Sequence, residues 1–264
     1  MTGPTPASHR PIRDAKAPRA LRRLWRALPL LLRGYSPYTN PDKFRLLDRA
    51  IAACGGQDLV FADLGGIWRV NGAYSRYLLN NRAVGRGFLV DTNIPEGVQR
   101  RLTRAGRMEL LQGDFGREEV LRWLGPIDLA IFFDVLLHQA NPDWDEILRR
   151  YASRARCVVI YNQQFAGEGP ACRLTDLPLE EYLAVTSDHA RTFATEMYRR
   201  GAEIHPEHGK PWKDVHHVIQ WGITDDALRT TMRALGFTEV HREEYGMFVG
   251  LPAFVERGFI FVRG

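Results

Sequence analysis

Cysteine is scarce in this chain: Cys54, Cys157 and Cys172 are the only three in 264 residues. An odd, widely spaced set excludes a disulfide scaffold and argues against a cysteine-built zinc site. Long apolar runs are missing as well, and no segment approaches the length that spans a bilayer. The longest apolar run near the N-terminus, Ala27 to Leu32, falls short of a signal-peptide core. These absences predict a cytoplasmic protein. A P-loop, a zincin motif and a serine-hydrolase elbow are also missing. So is the Gly-x-Gly-x-x-Gly of nicotinamide dehydrogenases, which argues against that activity.

What is present is an ordinary globular balance, 45% hydrophobic and 25% charged, at a length that permits one large domain. The charge is unevenly spread. Residues 1–34 hold eight basic side chains and one acid, Asp14; they carry +7, so a chain total of +5 leaves the remainder at −2. Leu21, Leu24, Trp25, Leu28 and Leu31 recur at helical spacing between arginines. The pattern predicts a short helix over 20–32, kinked or ended at Pro29. Such a helix either docks on the domain or meets an anionic membrane surface or nucleic acid. We therefore divide the chain into a basic extension, 1–40, and a folded domain, 41–264.

Within that domain Pro41–Ala53 reads as an amphipathic helix ended by Gly55-Gly56. A repeating unit follows, in which a short apolar strand precedes a polar turn and a helix. The predicted strands are Leu59–Leu64, Gly87–Val90, Met108–Leu111, Ile127–Phe133 and Cys157–Tyr161. Helices are predicted over 72–80, 96–105, 118–124 and 144–153. This alternation implies a doubly wound, mostly parallel sheet, because parallel strands need long crossovers. From Phe165 to about 220 the chain turns polar and is rich in Gly and Pro, and it reads as an insertion over one edge of the sheet. Thr224 then caps a helix ending at Gly236, and Thr238–Tyr245 and Gly258–Val262 read as two last strands.

The chemistry-bearing residues fall at the carboxyl ends of these strands, where open α/β sheets bind ligands. Asp63 is followed by Gly65, Gly66 and, before the next helix, Gly72; such glycines let backbone approach a ligand closely. Asp91 ends the second strand and suits ribose hydroxyls, or is a solvated turn residue. Gly113-Asp114-Phe115 follows the third strand. There an acid beside an aromatic suits an adenine amine and its ring, or forms an Asx turn. Phe133-Asp134 and His138 follow the fourth strand.

Taken in order, these motifs resemble those of the class I S-adenosylmethionine-dependent methyltransferases, from about Phe44 to the C-terminus. Asp63-Leu64-Gly65 resembles the acidic-x-Gly opening of that family's first motif. Asp91 resembles its ribose-binding acid, and Gly113-Asp114-Phe115 its adenine-side motif. Phe133-Asp134 through His138 resembles the fourth-strand motif, and Thr224–Phe237 the helix before the terminal hairpin. The resemblance implies a seven-stranded Rossmann-like sheet with a reversed terminal strand. It implies S-adenosylmethionine as cofactor, held by Asp63, Gly65, Gly66, Trp68, Gly72, Asp91, Asp114, Phe115 and Phe133. One departure stands out. The family's acidic-x-Gly-x-Gly-x-Gly loop is about three residues longer here, and the extra length carries Trp68 and Arg69.

Methyl transfer from a sulfonium needs alignment more than acid–base help, although an oxygen nucleophile gains from a base. Candidate bases are His138, His217, Asp134 and, less specifically, His216; each histidine is otherwise a structural one. Asn162, Gln163 and Gln164, read as lying just past the fifth strand, are available to a hydroxylated acceptor. Tyr182, Tyr198, Trp212 and Trp221 either line the acceptor pocket or anchor the insertion. An Asp134/His138/His217 metal cluster has no diagnostic spacing, so no metal is expected. The expected reaction is methylation of a small molecule, at oxygen, such as a sugar or secondary metabolite. The rivals are a nucleic-acid methyltransferase using the basic extension, against which the slightly acidic body argues, and a non-catalytic module of the same fold.

Overall fold

A computed structural model describes residues 35, 38–186, 191–216, 218–248, 251 and 253–264. The predicted helix over 20–32 lies outside the described residues. The first described helix, α1 (Pro41–Cys54), begins as its sequence dictates: the Asn40 side chain accepts the Asp42 N–H at 2.9 Å and Pro41 occupies the first turn. Gly55, at φ +65°, ends it.

Six further elements alternate as expected: β1 (Leu59–Leu64), α2 (Ala73–Leu79), β2 (Val84–Asp91), α3 (Glu96–Thr103), β3 (Met108–Gln112) and α4 (Glu118–Leu124). Then come β4 (Ile127–Phe133), α5 (Trp144–Ala152) and β5 (Ala155–Phe165). A two-residue ribbon, β6 (Cys172–Arg173) with β7 (Trp221–Gly222), brackets α6 (Leu179–Val185) and α7 (Arg191–Arg200). The chain closes with α8 (Asp225–Ala234), β8 (Phe237–Met247) and β9 (Phe254–Arg263). The main sheet has seven strands in the order β3-β2-β1-β4-β5-β9-β8, with β9 antiparallel to both neighbours. This is the Rossmann-like arrangement with a reversed last strand that the motifs imply. Its order reverses between β1 and β4, which opens a crevice at their carboxyl ends.

Strand side chains alternate between two cores. Leu64, Ala130, Phe132, Ile160 and Phe259 meet α4, α5 and α8 on one face. Phe61, Leu89, Ile131, Val159 and Ile260 meet α1, α2 and α3 on the other. Burial on both faces explains why the central strands are apolar throughout. A third, small core of Leu174, Tyr182, Ala194, Met197, Val218 and Phe254 holds the segment between β5 and α8. Tyr182 and Trp212 are buried there, Tyr182 within this core and Trp212 against Phe193 and His205. Among the described residues no helix is long and apolar enough to cross a membrane.

One expectation is corrected. β5 does not stop at Tyr161: Asn162, Gln163 and Gln164 are in the strand, paired with Arg257, Glu256 and Val255 of β9, and all three are buried. Their amide groups bond neighbours rather than solvent, with Asn162 Oδ1 left without a hydrogen bond among the described residues. Asn162 Nδ2 donates to Gln164 Oε1 at 2.9 Å, Gln164 Nε2 to Asp225 Oδ1 at 3.5 Å, and Gln163 Nε2 to Asp134 Oδ1 at 2.8 Å.

Gly87 shows how tightly the sheet packs. It lies opposite Phe61 in the β1–β2 register, and a Cβ on it would fall 2.2 Å from the ring Cζ of that residue. Gly87→Ala is expected to cost roughly 1–3 kcal/mol through overpacking, read as a lower urea midpoint at unchanged slope. An unaltered midpoint would mean that the Phe61 ring turns aside at no cost.

Candidate active site

The tip of β1 carries the first acid. Asp63 is 1% exposed, and its Oδ2 accepts the Ser75 hydroxyl at 2.5 Å. Burial pushes its pKa up to about 6; the Asp91 charge adds to the rise, while Ser75 and Lys43 oppose it. Gly66 sits directly on this carboxylate, where a Cβ would lie 2.3 Å from Oδ2. Gly65, at φ +83°, faces the tips of two other strands: its Cβ would meet Val135 Cγ1 at 2.6 Å and the Phe115 ring at 3.7 Å. A side chain at either position would fill the crevice.

The long loop after β1 is closed on itself. Asn71 N–H bonds the Ile67 carbonyl at 2.8 Å, and Gly72 N–H the Gly66 carbonyl at 2.9 Å. Gly72, at φ +68°, caps α2 and packs on Leu102 of α3. The extra residues point outward: Trp68 is 74% exposed, with the Arg69 guanidinium 4.3 Å above its ring. Asp91 is tied to the same loop. Its Oδ2 accepts the Ile67 N–H at 3.0 Å and its Oδ1 the Asn93 N–H at 3.1 Å. Thr92 adds hydrogen bonds from its backbone and side chain to the same carboxylate. Burial raises the Asp91 pKa against those backbone bonds.

On the β3 side, Asp114 Oδ1 accepts the Gly116 N–H at 2.8 Å, which is the Asx geometry. Its Oδ2 faces Lys210 Nζ at 3.2 Å. Lys210 also reaches the Ala140 and Asn141 carbonyls and stands 3.0 Å from His216 Nε2. Burial opposes ionisation of Asp114, but Lys210 and the Gly116 N–H outweigh it and hold the pKa below the usual value. Burial, and then Lys210, press His216 down to about 4, so it is neutral at pH 7. Phe115 is buried, and its carbonyl accepts the Tyr151 hydroxyl at 2.8 Å.

Past β4, Asp134 adopts φ +56°, an uncommon conformation that aspartate tolerates better than most residues. Its carboxylate is held between Gln163 and Lys43, which forms a direct ion pair with Oδ2. Lys43, from the first turn of α1, is buried among aromatic faces. Its Nζ lies 4.7 Å from the Tyr161 centroid, 5.4 Å from Phe133 and 5.6 Å from Tyr74. Burial works against this ammonium, but Asp134 outweighs it and holds the pKa above the ordinary lysine value. Asn40 closes the same spot, since its N–H bonds the Tyr74 hydroxyl and its amide the Tyr161 hydroxyl.

His138 ends the short turn Leu136–His138, with Nδ1 2.7 Å from the Val218 carbonyl. A carbonyl only accepts, so this contact places the ring proton on Nδ1 and makes Nε2 the basic nitrogen. His217 lies outside the described residues. Trp221 Nε1 donates to the Gln139 carbonyl at 2.8 Å and Tyr198 to the Leu177 carbonyl at 2.7 Å, so both serve to anchor the segment after β5. His205, Glu207 and His208 bring ligand-type atoms within 4.8 Å. His205 Nδ1, however, accepts the Glu207 N–H, which puts the ring proton on Nε2 and leaves a poor donor set for a metal.

The structure thus gathers Asp63, Gly65, Gly66, Asp91, Phe115 and Val135 around one crevice at the tips of β1 to β4. Lys43, Lys210 and the role of Gln163 are additions to the residues expected from sequence. No local pattern marks them, because Lys43 meets Asp134 and Lys210 meets Asp114 only through the fold.

No protein-family model matches the sequence, and no curated protein matches it. Solved structures do. The 1,6-didemethyltoxoflavin-N1-methyltransferase of Burkholderia thailandensis, with 1,6-didemethyltoxoflavin and S-adenosylhomocysteine bound, is 16% identical. The match covers 96% of this chain and 92% of that one, at a TM-score of 0.55. The N-terminal domain of EvdMO1 with S-adenosylhomocysteine bound is 14% identical over 84% of this chain and 80% of its own, at 0.52. The same domain in the presence of S-adenosylhomocysteine and D-fucose gives 14% identity, 84% and 82% coverage, and 0.51. The chain has the fold of the class I methyltransferases.

Proposed function

We propose that this protein binds S-adenosylmethionine in the crevice between β1 and β4 and transfers its methyl group to a small-molecule acceptor. The observation that carries the reading is the cradle itself. A glycine with no room for a side chain, Gly65, faces Phe115 and Val135 between two acids of different character. Asp91, a partly exposed carboxylate at the tip of β2 that is tied to the loop after β1, suits a ribose diol. Asp63, buried and with its pKa raised, suits an ammonium group that restores its charge. Gly66 and Gly72 shape the loop, Asp114 and Phe115 take the adenine side, Trp68 overhangs the rim, and Phe133 walls the reacting end.

The bound cofactor supplies an already activated methyl group, so the residues of the chain mainly align the acceptor and exclude water. Asp134, fixed by Lys43 and Gln163, orients a hydroxyl or amine. His138, set in its Nδ1–H tautomer by Val218, takes a proton at Nε2, with His217 as a further base. We favour an oxygen acceptor on a sugar-like or other secondary metabolite, since these groups provide polar orientation together with a base. The structural neighbours include one enzyme named for a ring-nitrogen methyl transfer and one domain solved in the presence of a sugar. Mass spectrometry of the purified protein, with calorimetric titration of S-adenosylhomocysteine, tests the reading. Absence of binding by folded protein would leave a non-catalytic module.

The raised pKa of Asp63 makes a further expectation. An acid whose pKa rises on folding contributes stability that is complete below about pH 4 and is lost as pH climbs through about 6. A bound ammonium favours the carboxylate and so lowers this pKa. S-adenosylmethionine binding is therefore expected to release protons near pH 6 and to tighten as pH rises through that value. Calorimetry in two buffers of different ionisation enthalpy reads the release; identical enthalpies in both would remove Asp63 from the ammonium site.

A further inference from the structure

A separate reactive cluster lies at the opposite edge of the sheet, at the amino ends of β4 and β5. Cys54, the last residue of α1, is half-buried. Its sulfur rests 3.5 Å from the Asp128 carbonyl oxygen and 3.6 Å from Arg156 Nη2. Arg156 is itself fixed, with Nε 2.8 Å from Asp128 Oδ1 and Nη2 3.4 Å from the Gly55 carbonyl. Cys157, next on β5, is fully buried and pairs in register with Leu129, the residue after the Asp128 whose carbonyl Cys54 rests on. Cys157 belongs to the core on the α1 face of the sheet, and Cys54 packs against it. None of these groups takes part in the proposed methyl transfer.

We propose that Cys54 and Cys157 form a redox-active dithiol, in which Cys54 attacks a hydroperoxide and Cys157 resolves the product to a disulfide. Three features support it. Cys54 is the less buried of the two and has a guanidinium, held by Asp128, beside its sulfur, as a reactive thiolate requires. Cys157 lies in the core that Cys54 packs against, one residue along the β4–β5 register from the carbonyl on which the Cys54 sulfur rests. The Cys54 thiol is lowered to about 7, chiefly by the Cys157 hydrogen bond, with burial opposing and Arg156 adding to the fall, while the same bond and burial push Cys157 far up. Asp128 is the remaining charge facing the pair, and it acts against the thiolate.

The chemistry balances with a hydroperoxide as the named oxidant. Cys54 thiolate attacks the terminal peroxide oxygen, the O–O bond breaks, and the leaving alkoxide or hydroxide takes a proton. Cys54 becomes a sulfenic acid, oxidised by two electrons. The Cys157 sulfur then attacks the Cys54 sulfur; the S–O bond breaks, an S–S bond forms, and hydroxide leaves with the Cys157 proton as water. Cys172 provides an internal control, since burial raises its thiol and no guanidinium hydrogen-bonds its sulfur among the described residues.

The test treats the full chain with hydrogen peroxide and maps its peptides without reductant. The expected product is a Cys54–Cys157 cross-linked peptide, two hydrogens lighter than the reduced pair and reversed by dithiothreitol. In Cys157→Ser, dimedone should capture Cys54 about tenfold faster than Cys172. Arg156→Met should slow iodoacetamide alkylation of Cys54 at pH 7 several-fold while leaving Cys172 unchanged. The proposal is overturned if natively folded protein gives no cross-link, or if Cys172 captures dimedone as fast as Cys54.

Discussion

Asp134→Asn should lower the unfolding free energy by roughly 2–3 kcal/mol, with Lys43→Met in the same chain recovering most of the loss. Asparagine keeps the shape of the side chain and tolerates the φ of +56° that Asp134 adopts. What it removes is the charge facing Lys43, an ammonium whose side chain is 8% exposed. Breaking a buried pair by taking one partner costs about 3–5 kcal/mol, whereas replacing both by apolar groups is often neutral. The lower figure applies because the Asp134 side chain is 34% exposed and Glu256 also acts on Lys43. Urea unfolding of the two single variants and the double variant gives the coupling. A double variant no more stable than Asp134→Asn would show that the aromatic cage of Tyr74, Phe133 and Tyr161 holds the lysine without its carboxylate.

Asp91→Ala should weaken S-adenosylhomocysteine binding by tenfold or more. A charged group bonded to two hydroxyls contributes about 1.5–3 kcal/mol, and 1.4 kcal/mol is a factor of ten. The substitution also releases the Ile67 and Asn93 N–H groups, so part of the loss arises from a loosened loop. Asp91→Asn separates the two effects. Its amide oxygen still accepts one of the N–H groups, yet the charge is gone. Titration of 2′-deoxy and ribose forms of the ligand should show full discrimination in the native protein and little in either variant. Native affinity in folded Asp91→Ala protein would place the ribose elsewhere.

How much of this was legible in the sequence depends on whether an interaction is local. β1 and β4 show their full bounds, because Leu59–Leu64 and Ile127–Phe133 are apolar runs closed by Gly65 and Asp134. The tail of β5 hides, because Asn162, Gln163 and Gln164 look like a turn until β9, Asp134 and Asp225 supply their partners. α8 starts two residues earlier than its apolar periodicity suggests, since Thr224 caps it and Asp225 occupies its first turn. The acids at the strand tips follow from strand order and were visible as a series. The lysines that meet two of them were not, since each crosses a large part of the chain to do so.

Lys210 has a mechanical consequence. One ammonium touches Asp114, the two carbonyls after the β4 turn and His216, so it fastens the loop before α8 to the acid that follows β3. A donor arriving at Asp114 Oδ2 must share that oxygen or evict the lysine. Eviction unlatches the 203–216 segment, and amide hydrogen exchange there would then report occupancy of a site on the far side of the crevice.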